Sequence, residues 1–173
     1  MSSGRNLILT GFMGTGKTTV GRVVASKLDM GFIDTDDLIE SRHGPISQIF
    51  AERGEAKFRE IEREVARALG EETNQVIATG GRMVLDPDSF RSLSRNGRIF
   101  CLVASPETIL RRVSDEVPTR ERPLLQGDDP RHRIDELMTA RRPGYERFQQ
   151  VDTDARTPDE VADEIVRLWT SGL

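Results

Sequence analysis

Gly11-Phe12-Met13-Gly14-Thr15-Gly16-Lys17-Thr18 sets glycines, a lysine and a hydroxyl at fixed offsets, G-x-x-x-x-G-K-T. Those residue types at that spacing suit a polyphosphate. Glycine lets the backbone curl until successive N–H groups point at phosphate oxygens. A helix that starts at the end of the loop turns its positive dipole end to the same place. Lys17 would reach the β- and γ-phosphates, and the Thr18 hydroxyl would ligate Mg²⁺. Gly14, Thr15, Gly16 and Thr19 would complete the cradle. The plainer alternative is a glycine-rich turn with no ligand. By chance the bare pattern turns up in roughly one chain in two hundred of this length, and the context argues further against chance. The apolar run Leu7-Ile8-Leu9 leads into the loop, and Val20, Val23, Val24 and Leu28 follow it at helical spacing.

Asp34-Thr35-Asp36-Asp37 is the second cluster that could do chemistry. Aspartates at a helix start often only cap it. Beside a phosphate loop they gain a second use, one carboxylate held toward Mg²⁺ and one orienting a substrate hydroxyl. Neither 77–79 nor 100–103 ends in an aspartate, so Asp34 is the candidate for the metal. Gly80-Gly81 would allow backbone N–H groups to come close to a substrate, or serve only as a turn. Arg59, with Glu62 three residues on, and Arg141, near a helix end, each have a plain electrostatic reading. Arg111-Arg112 reads as a solvated face, with stacking on a base as the alternative for Arg112. Arg120 and Arg122 lie where a closing arginine could neutralise phosphate charge in a transition state.

Positioning these residues requires alternating strands and helices. Strands are expected over 5–10, 31–33, 76–79, 98–103 and 150–152. Helices are expected over 17–28, 37–42 with Asp37 and Glu40 as a capping box, a short one around Ile46, Ile49 and Phe50 ended by Gly54, and 55–69. Further helices follow over 86–95, 106–113, 131–142 stopped by Pro143-Gly144, and from Thr157 onward with Pro158 and Glu160. Residues 114–130 are polar, carry prolines, and read as a mobile surface segment, a lid. The alternation implies a parallel sheet with helices on both faces. Ligands of such sheets bind at the carboxyl ends of the strands. The phosphate loop, 34–37, 80–82 and 104–105 therefore share one crevice.

Composition agrees with a globular chain of one domain over 1–173. It has 173 residues, 36% hydrophobic and 31% charged, with a net charge of −4. The absence of a basic block disfavours nucleic acid as a partner. The single cysteine, Cys101, excludes an internal disulfide and sits within an apolar strand. No leader and no apolar run of membrane-spanning length is evident, so a cytoplasmic location is expected.

Taken in order, these pieces resemble the shikimate kinase family, P-loop NTPases of the nucleoside-monophosphate-kinase-like fold. Besides the phosphate loop, the resemblance rests on Phe32-Ile33-Asp34-Thr35-Asp36, Gly54-Glu55-Ala56-Lys57-Phe58-Arg59-Glu60-Ile61-Glu62, Thr79-Gly80-Gly81, Arg122-Pro123-Leu124-Leu125 and Arg141-Arg142-Pro143-Gly144-Tyr145. The D-T-D, F-R-x-x-E and R-P-L-L pieces are family marks, and the match spans nearly the whole chain. It implies a three-layer α/β/α fold around a five-stranded parallel sheet, and ATP-dependent phosphorylation of the shikimate 3-hydroxyl. It also implies roles. Lys17 and the loop amides hold the phosphates, and Thr18 with Asp34 holds Mg²⁺. Asp36 binds the acceptor hydroxyls and takes the proton, Arg59 and Arg141 bind its carboxylate, and Gly80-Gly81 floors the site. Arg122 comes from the lid onto the phosphates, and Arg112 lies near adenine. A monomer is expected, with ATP and shikimate as its small-molecule partners. One position departs from the family's run of three glycines: Arg82 replaces the third, leaving open whether its side chain points away or touches substrate or phosphate. The lid segment before Arg122 is a few residues longer than in the members it most resembles. Two rivals follow, a kinase of the same fold with another small hydroxylated acceptor, and a nucleotide-binding regulatory domain without turnover.

Overall fold

The computed structural model describes residues 4–115 and 129–172. Five parallel strands form one sheet in the order β2-β3-β1-β4-β5. They are β1 (Asn6–Gly11), β2 (Gly31–Asp34), β3 (Gln75–Ala78), β4 (Gly97–Val103) and β5 (Gln149–Asp152). The central strand β1 reads as a continuous apolar run because both of its faces are covered. Leu7 and Leu9 face a core built with α1 (Lys17–Leu28) and α7 (Pro158–Ser171). Ile8 faces the opposite core, shared with α2 (Thr35–His43), α3 (Ile46–Leu69), α4 (Pro87–Ser94), α5 (Pro106–Asp115) and α6 (Pro130–Tyr145). The result is the three-layer α/β/α arrangement implied by the resemblance. Cys101 is fully buried on β4, as its apolar neighbours suggested.

Several helix ends follow from local chemistry. Thr157 and Glu160 form a reciprocal capping box on α7. Asp86 caps α4 through Asp88 N and Ser89 N, with Pro87 in the first turn. Gly54, at φ 80°, breaks the helical geometry inside α3, so the two expected helices are present and meet at a kink.

Three expectations are corrected. The helix after β2 starts at Thr35, two residues early, and its cap is Asp34 rather than Asp37. Glu40 accepts from Ile46 N, 3.1 Å away, instead of closing a box with Asp37. Pro143 does not stop α6, which runs on to Tyr145. Tertiary contact carries it past the missing N–H: Tyr145 is buried and its hydroxyl bonds to Gly81 O. Gly144 permits the approach, since a Cβ there would lie 2.5 Å from Leu85 Cδ2. Finally, Ser114 and Asp115 still belong to α5 and Pro130 opens α6. The rest of the expected lid, 116–128 with Arg120 and Arg122, lies outside the described residues.

The end of β1 is where the fold becomes a site. Gly11 pairs with Leu102 on β4 and has φ 134°, and a Cβ on it would lie 2.3 Å from Leu102 O. A side chain at this point would push the phosphate loop off the sheet edge. Gly11→Ala is therefore expected to cost about 2–4 kcal/mol in urea unfolding; an unchanged midpoint would contradict the account of this junction.

Candidate active site

The phosphate loop joins β1 to α1. Gly14 and Gly16 hold φ of 73° and 93°, conformations that a side chain would strain. Thr15 is buried and its hydroxyl donates to Phe12 O at 2.8 Å, closing the loop on itself. Lys17 Nζ donates to Gly11 O and Phe12 O, both at 2.9 Å, so the ammonium lies across the loop. Thr19 is exposed on the first turn of α1.

Thr18 and Asp34 meet. The Thr18 hydroxyl donates to Asp34 Oδ2 at 2.6 Å, while Asp34 Oδ1 accepts from Asp36 N and Asp37 N at 3.0 and 3.2 Å. One carboxylate thus caps α2 with one oxygen and reaches the loop with the other. A hydroxyl and a carboxylate oxygen are hard donors and suit a hard divalent cation. Among the described residues no group of three or more His, Cys, Asp and Glu could hold a metal. An ion here would take most of its remaining ligands from phosphate and water, the usual habit of Mg²⁺.

The second half of the site is built over Gly80-Gly81, just beyond β3. Gly80 N donates to Thr35 Oγ1 at 2.9 Å, fixing the turn to α2. A Cβ on Gly80 would sit 2.9 Å from Asp36 Oδ1 and 3.0 Å from Glu62 Oε1. A Cβ on Gly81 would sit 3.3 Å from Arg141 Nη1 and 3.6 Å from the Tyr145 hydroxyl. The two glycines therefore lie beneath two acids on one side and an arginine on the other.

Arg59 donates from Nη1 to Glu62 Oε2 at 2.6 Å and from Nη2 to Glu55 Oε1 at 2.9 Å. Glu62 is buried, and burial pushes its carboxyl above the ordinary range against the pull of Arg59. Burial also works against the Arg59 cation, but Glu62 and Glu55 outweigh it and hold its pKa up.

Arg141 is in a different position. It is only 8% exposed, its guanidinium carbon lies 5.3 Å from the centre of the Phe12 ring, and no described carboxylate pairs with it. Burial pushes its pKa down, and Arg82 and Arg59 press the same way against the pull of Tyr145. An arginine stays protonated regardless, so this is a buried cation with no carboxylate partner among the described residues, supported by Tyr145 and Phe12. An incoming carboxylate would supply it. Tyr145, pushed up to about 12 by burial, keeps its proton and donates it to Gly81 O.

The structure thus brings together Gly14, Thr15, Gly16, Lys17, Thr18 and Asp34 at one end, and Asp36, Arg59, Gly80, Gly81 and Arg141 at the other. Arg112 is not a solvated residue. It donates to Gly14 O at 3.2 Å, Thr153 Oγ1 at 3.0 Å and Thr153 O at 2.8 Å, tying the phosphate loop to the segment after β5. Arg82 turns outward to Glu55 and leaves the floor to the two glycines. Sequence reasoning assigned no role to Tyr145, Phe12 or Glu55. Glu62 could have been singled out, because it falls on the buried stripe of α3 with Phe58, Ile61, Val65 and Leu69.

A phosphate loop at the carboxyl end of a parallel sheet, with the buried Arg141, the partly buried Arg59 and the acids Asp36 and Glu62 gathered around Gly80-Gly81 beside it, is the arrangement of a P-loop kinase. A family model described as shikimate kinase matches residues 13–170. The chain is 46% identical over 167 residues to a shikimate kinase of Thermodesulfovibrio yellowstonii, covering 95% of each. It is 46% identical over 168 residues to one of Caldanaerobacter subterraneus, covering 95% of this chain and 96% of that one. Among solved structures, a shikimate kinase from Acinetobacter baumannii in complex with shikimate superposes with a TM-score of 0.91 at 32% identity, covering 99% of this chain and 96% of that one. The chain belongs to the shikimate kinase family.

The raised Glu62 carboxyl has a consequence for stability. A carboxyl with a higher pKa folded than unfolded binds more protons when folded, so its contribution is complete below the unfolded value and lost as pH rises through the folded one. The stability of the wild type relative to Glu62→Gln should therefore fall as pH rises from about 4.5, the unperturbed value. Urea unfolding at several pH values reads this directly; a difference that grows with pH would contradict it.

Proposed function

We propose that this chain transfers the γ-phosphoryl group of ATP to the 3-hydroxyl of shikimate, giving shikimate 3-phosphate and ADP for chorismate and aromatic amino-acid biosynthesis. The observation that carries the reading is Arg141: a buried guanidinium with no carboxylate partner among the described residues, across Gly81 from the phosphate loop. It calls for an anionic acceptor at the place where a γ-phosphate would be delivered.

The residues divide the work. The loop amides and Lys17 hold the phosphates, with Gly14, Thr15, Gly16, Thr18 and Thr19 shaping the cradle. Arg59 and Arg141 hold the acceptor carboxylate as a cationic fork. Asp36, over Gly80, orients the hydroxyl and takes its proton. Glu62 fixes Arg59 from behind. Thr18 and Asp34 would hold Mg²⁺, which when bound neutralises charge on the phosphates. The family resemblance gives Arg112 the border of the adenine position and Arg122 the neutralisation of phosphate charge. With little covalent chemistry for the protein to perform, positioning and exclusion of water supply most of the rate. The chain works as one kinase domain, a monomer, in the cytoplasm. No described helix is long and apolar enough to cross a membrane. The rival with a different acceptor drew on Arg82, and that side chain is engaged by Glu55 instead.

Asp36→Asn tests the division. It removes the proton acceptor but keeps the shape, so kcat should fall about 10²–10⁴-fold while ATP affinity, measured by titration, changes little. Equal loss of ATP binding and turnover would assign Asp36 to the nucleotide instead.

A further inference from the structure

Glu55 opens the part of α3 beyond the Gly54 kink, and its Oε1 accepts from two arginines. Arg59 donates to it from Nε at 3.2 Å and Nη2 at 2.9 Å, and Arg82 donates from Nη1 at 3.0 Å. The two cations come from different elements, α3 and the turn after β3, and differ in setting. The Arg59 side chain is 17% exposed and the Arg82 side chain 49%. Arg59 has a second carboxylate in Glu62. Among the described residues, Arg82 has no ion pair except the one with Glu55.

This arrangement bears on substrate entry, given the reading of this site as the acceptor site. A guanidinium has five N–H donors in a fixed fork. On Arg59, Glu62 holds Nη1, while Nε and Nη2, the edge best shaped for a carboxylate, are taken by Glu55. An acceptor carboxylate that docks on that edge must displace Glu55. Glu55 is then an internal competitor for the substrate, and the outcome depends on what else it can bind.

We propose that Arg82 is a positioning residue for acceptor binding. It retains Glu55 at the rim of the site, so that Arg59 can exchange its internal carboxylate for the carboxylate of the substrate. Arg82 touches no reacting atom in this role. It acts through Glu55, which keeps one cation throughout the exchange. Electrostatics is consistent with this: Glu55 lies below the ordinary carboxylate range, held there first by its hydrogen bond to Arg59 and also by the charges of Arg59, Arg82 and Arg141.

Steady-state kinetics on the full chain, with Mg-ATP and shikimate, tests the proposal with Arg82→Ala, Arg82→Lys, Glu55→Gln and the double variant Arg82→Ala/Glu55→Gln. Losing Arg82 leaves Glu55 with Arg59 alone. KM for shikimate should rise about two- to fivefold, the scale of a partly exposed ion pair, with kcat and KM for ATP unchanged. Arg82→Lys should recover most of the loss. Adding Glu55→Gln to Arg82→Ala should return KM for shikimate toward the wild-type value, because the competing charge is gone. A merely structural role for Arg82 would not produce that rescue. Arg82→Gln repeats the test if the alanine variant fails to fold. The proposal is overturned if Arg82→Ala leaves KM for shikimate unchanged or lowers it, if kcat or KM for ATP shifts equally, or if Glu55→Gln worsens the defect. Wild-type protein without shikimate-dependent turnover would instead overturn the acceptor reading itself.

Discussion

A guanidinium taken out of water has to be compensated, and the proposed acceptor half of this protein is arranged around that of Arg141. The aromatic face of Phe12, part of the phosphate loop, lies under it. Tyr145, four residues along α6, stands beside it and is bonded to Gly81. Gly81 itself has no side chain to fill the space in front of Arg141 Nη1. These contacts draw the phosphate loop, the turn after β3 and the end of α6 toward one point. A cation–π contact of this kind contributes about 0.5–2 kcal/mol, less than burial of a charge costs. In the proposed function the carboxylate of the acceptor supplies the remainder.

Asp34 couples the two halves. Its Oδ1 sets the start of α2, and therefore the position of Asp36, while its Oδ2 receives the Thr18 hydroxyl from the phosphate loop. The proposed metal end and the proposed proton-accepting end of the site hang on one side chain. Thr35 extends the link by accepting from Gly80 N, which registers the Gly80-Gly81 turn against the same helix start. The charged residues around Arg59 then tune an already positioned cation: Glu62 holds it from the buried side, and Glu55 with Arg82 from the rim.

What was legible in the sequence was whatever short-range pattern dictates. Apolar runs gave the five strands and their alternation with helices. The phosphate loop was readable because its chemistry needs glycine, lysine and a hydroxyl within eight consecutive positions. The Gly54 break and the Thr157 box are local signals and were found. The helix cap at Asp34 was misplaced onto Asp37 because both are aspartates, and only the fold decides which one faces the first turn. Pro143 misled for a related reason. A proline removes one backbone bond, but the contact that outweighs it spans 64 positions between Tyr145 and Gly81. The attachment of Arg82 to Glu55, 27 positions apart, is likewise a fact of packing between α3 and the turn after β3. Arg112 looked solvated beside Arg111, yet the phosphate loop and Thr153 converge on it from distant parts of the chain.

The most direct measurement is ADP release by the purified protein with Mg-ATP, with and without shikimate. The account predicts slow release from Mg-ATP alone and strong stimulation by shikimate, with one ADP formed for each acceptor phosphorylated. Binding of ATP with no stimulation by shikimate, or ADP release indifferent to it, would contradict the claim that Arg141 over Gly81, together with Arg59, forms the acceptor site of a shikimate-phosphorylating enzyme.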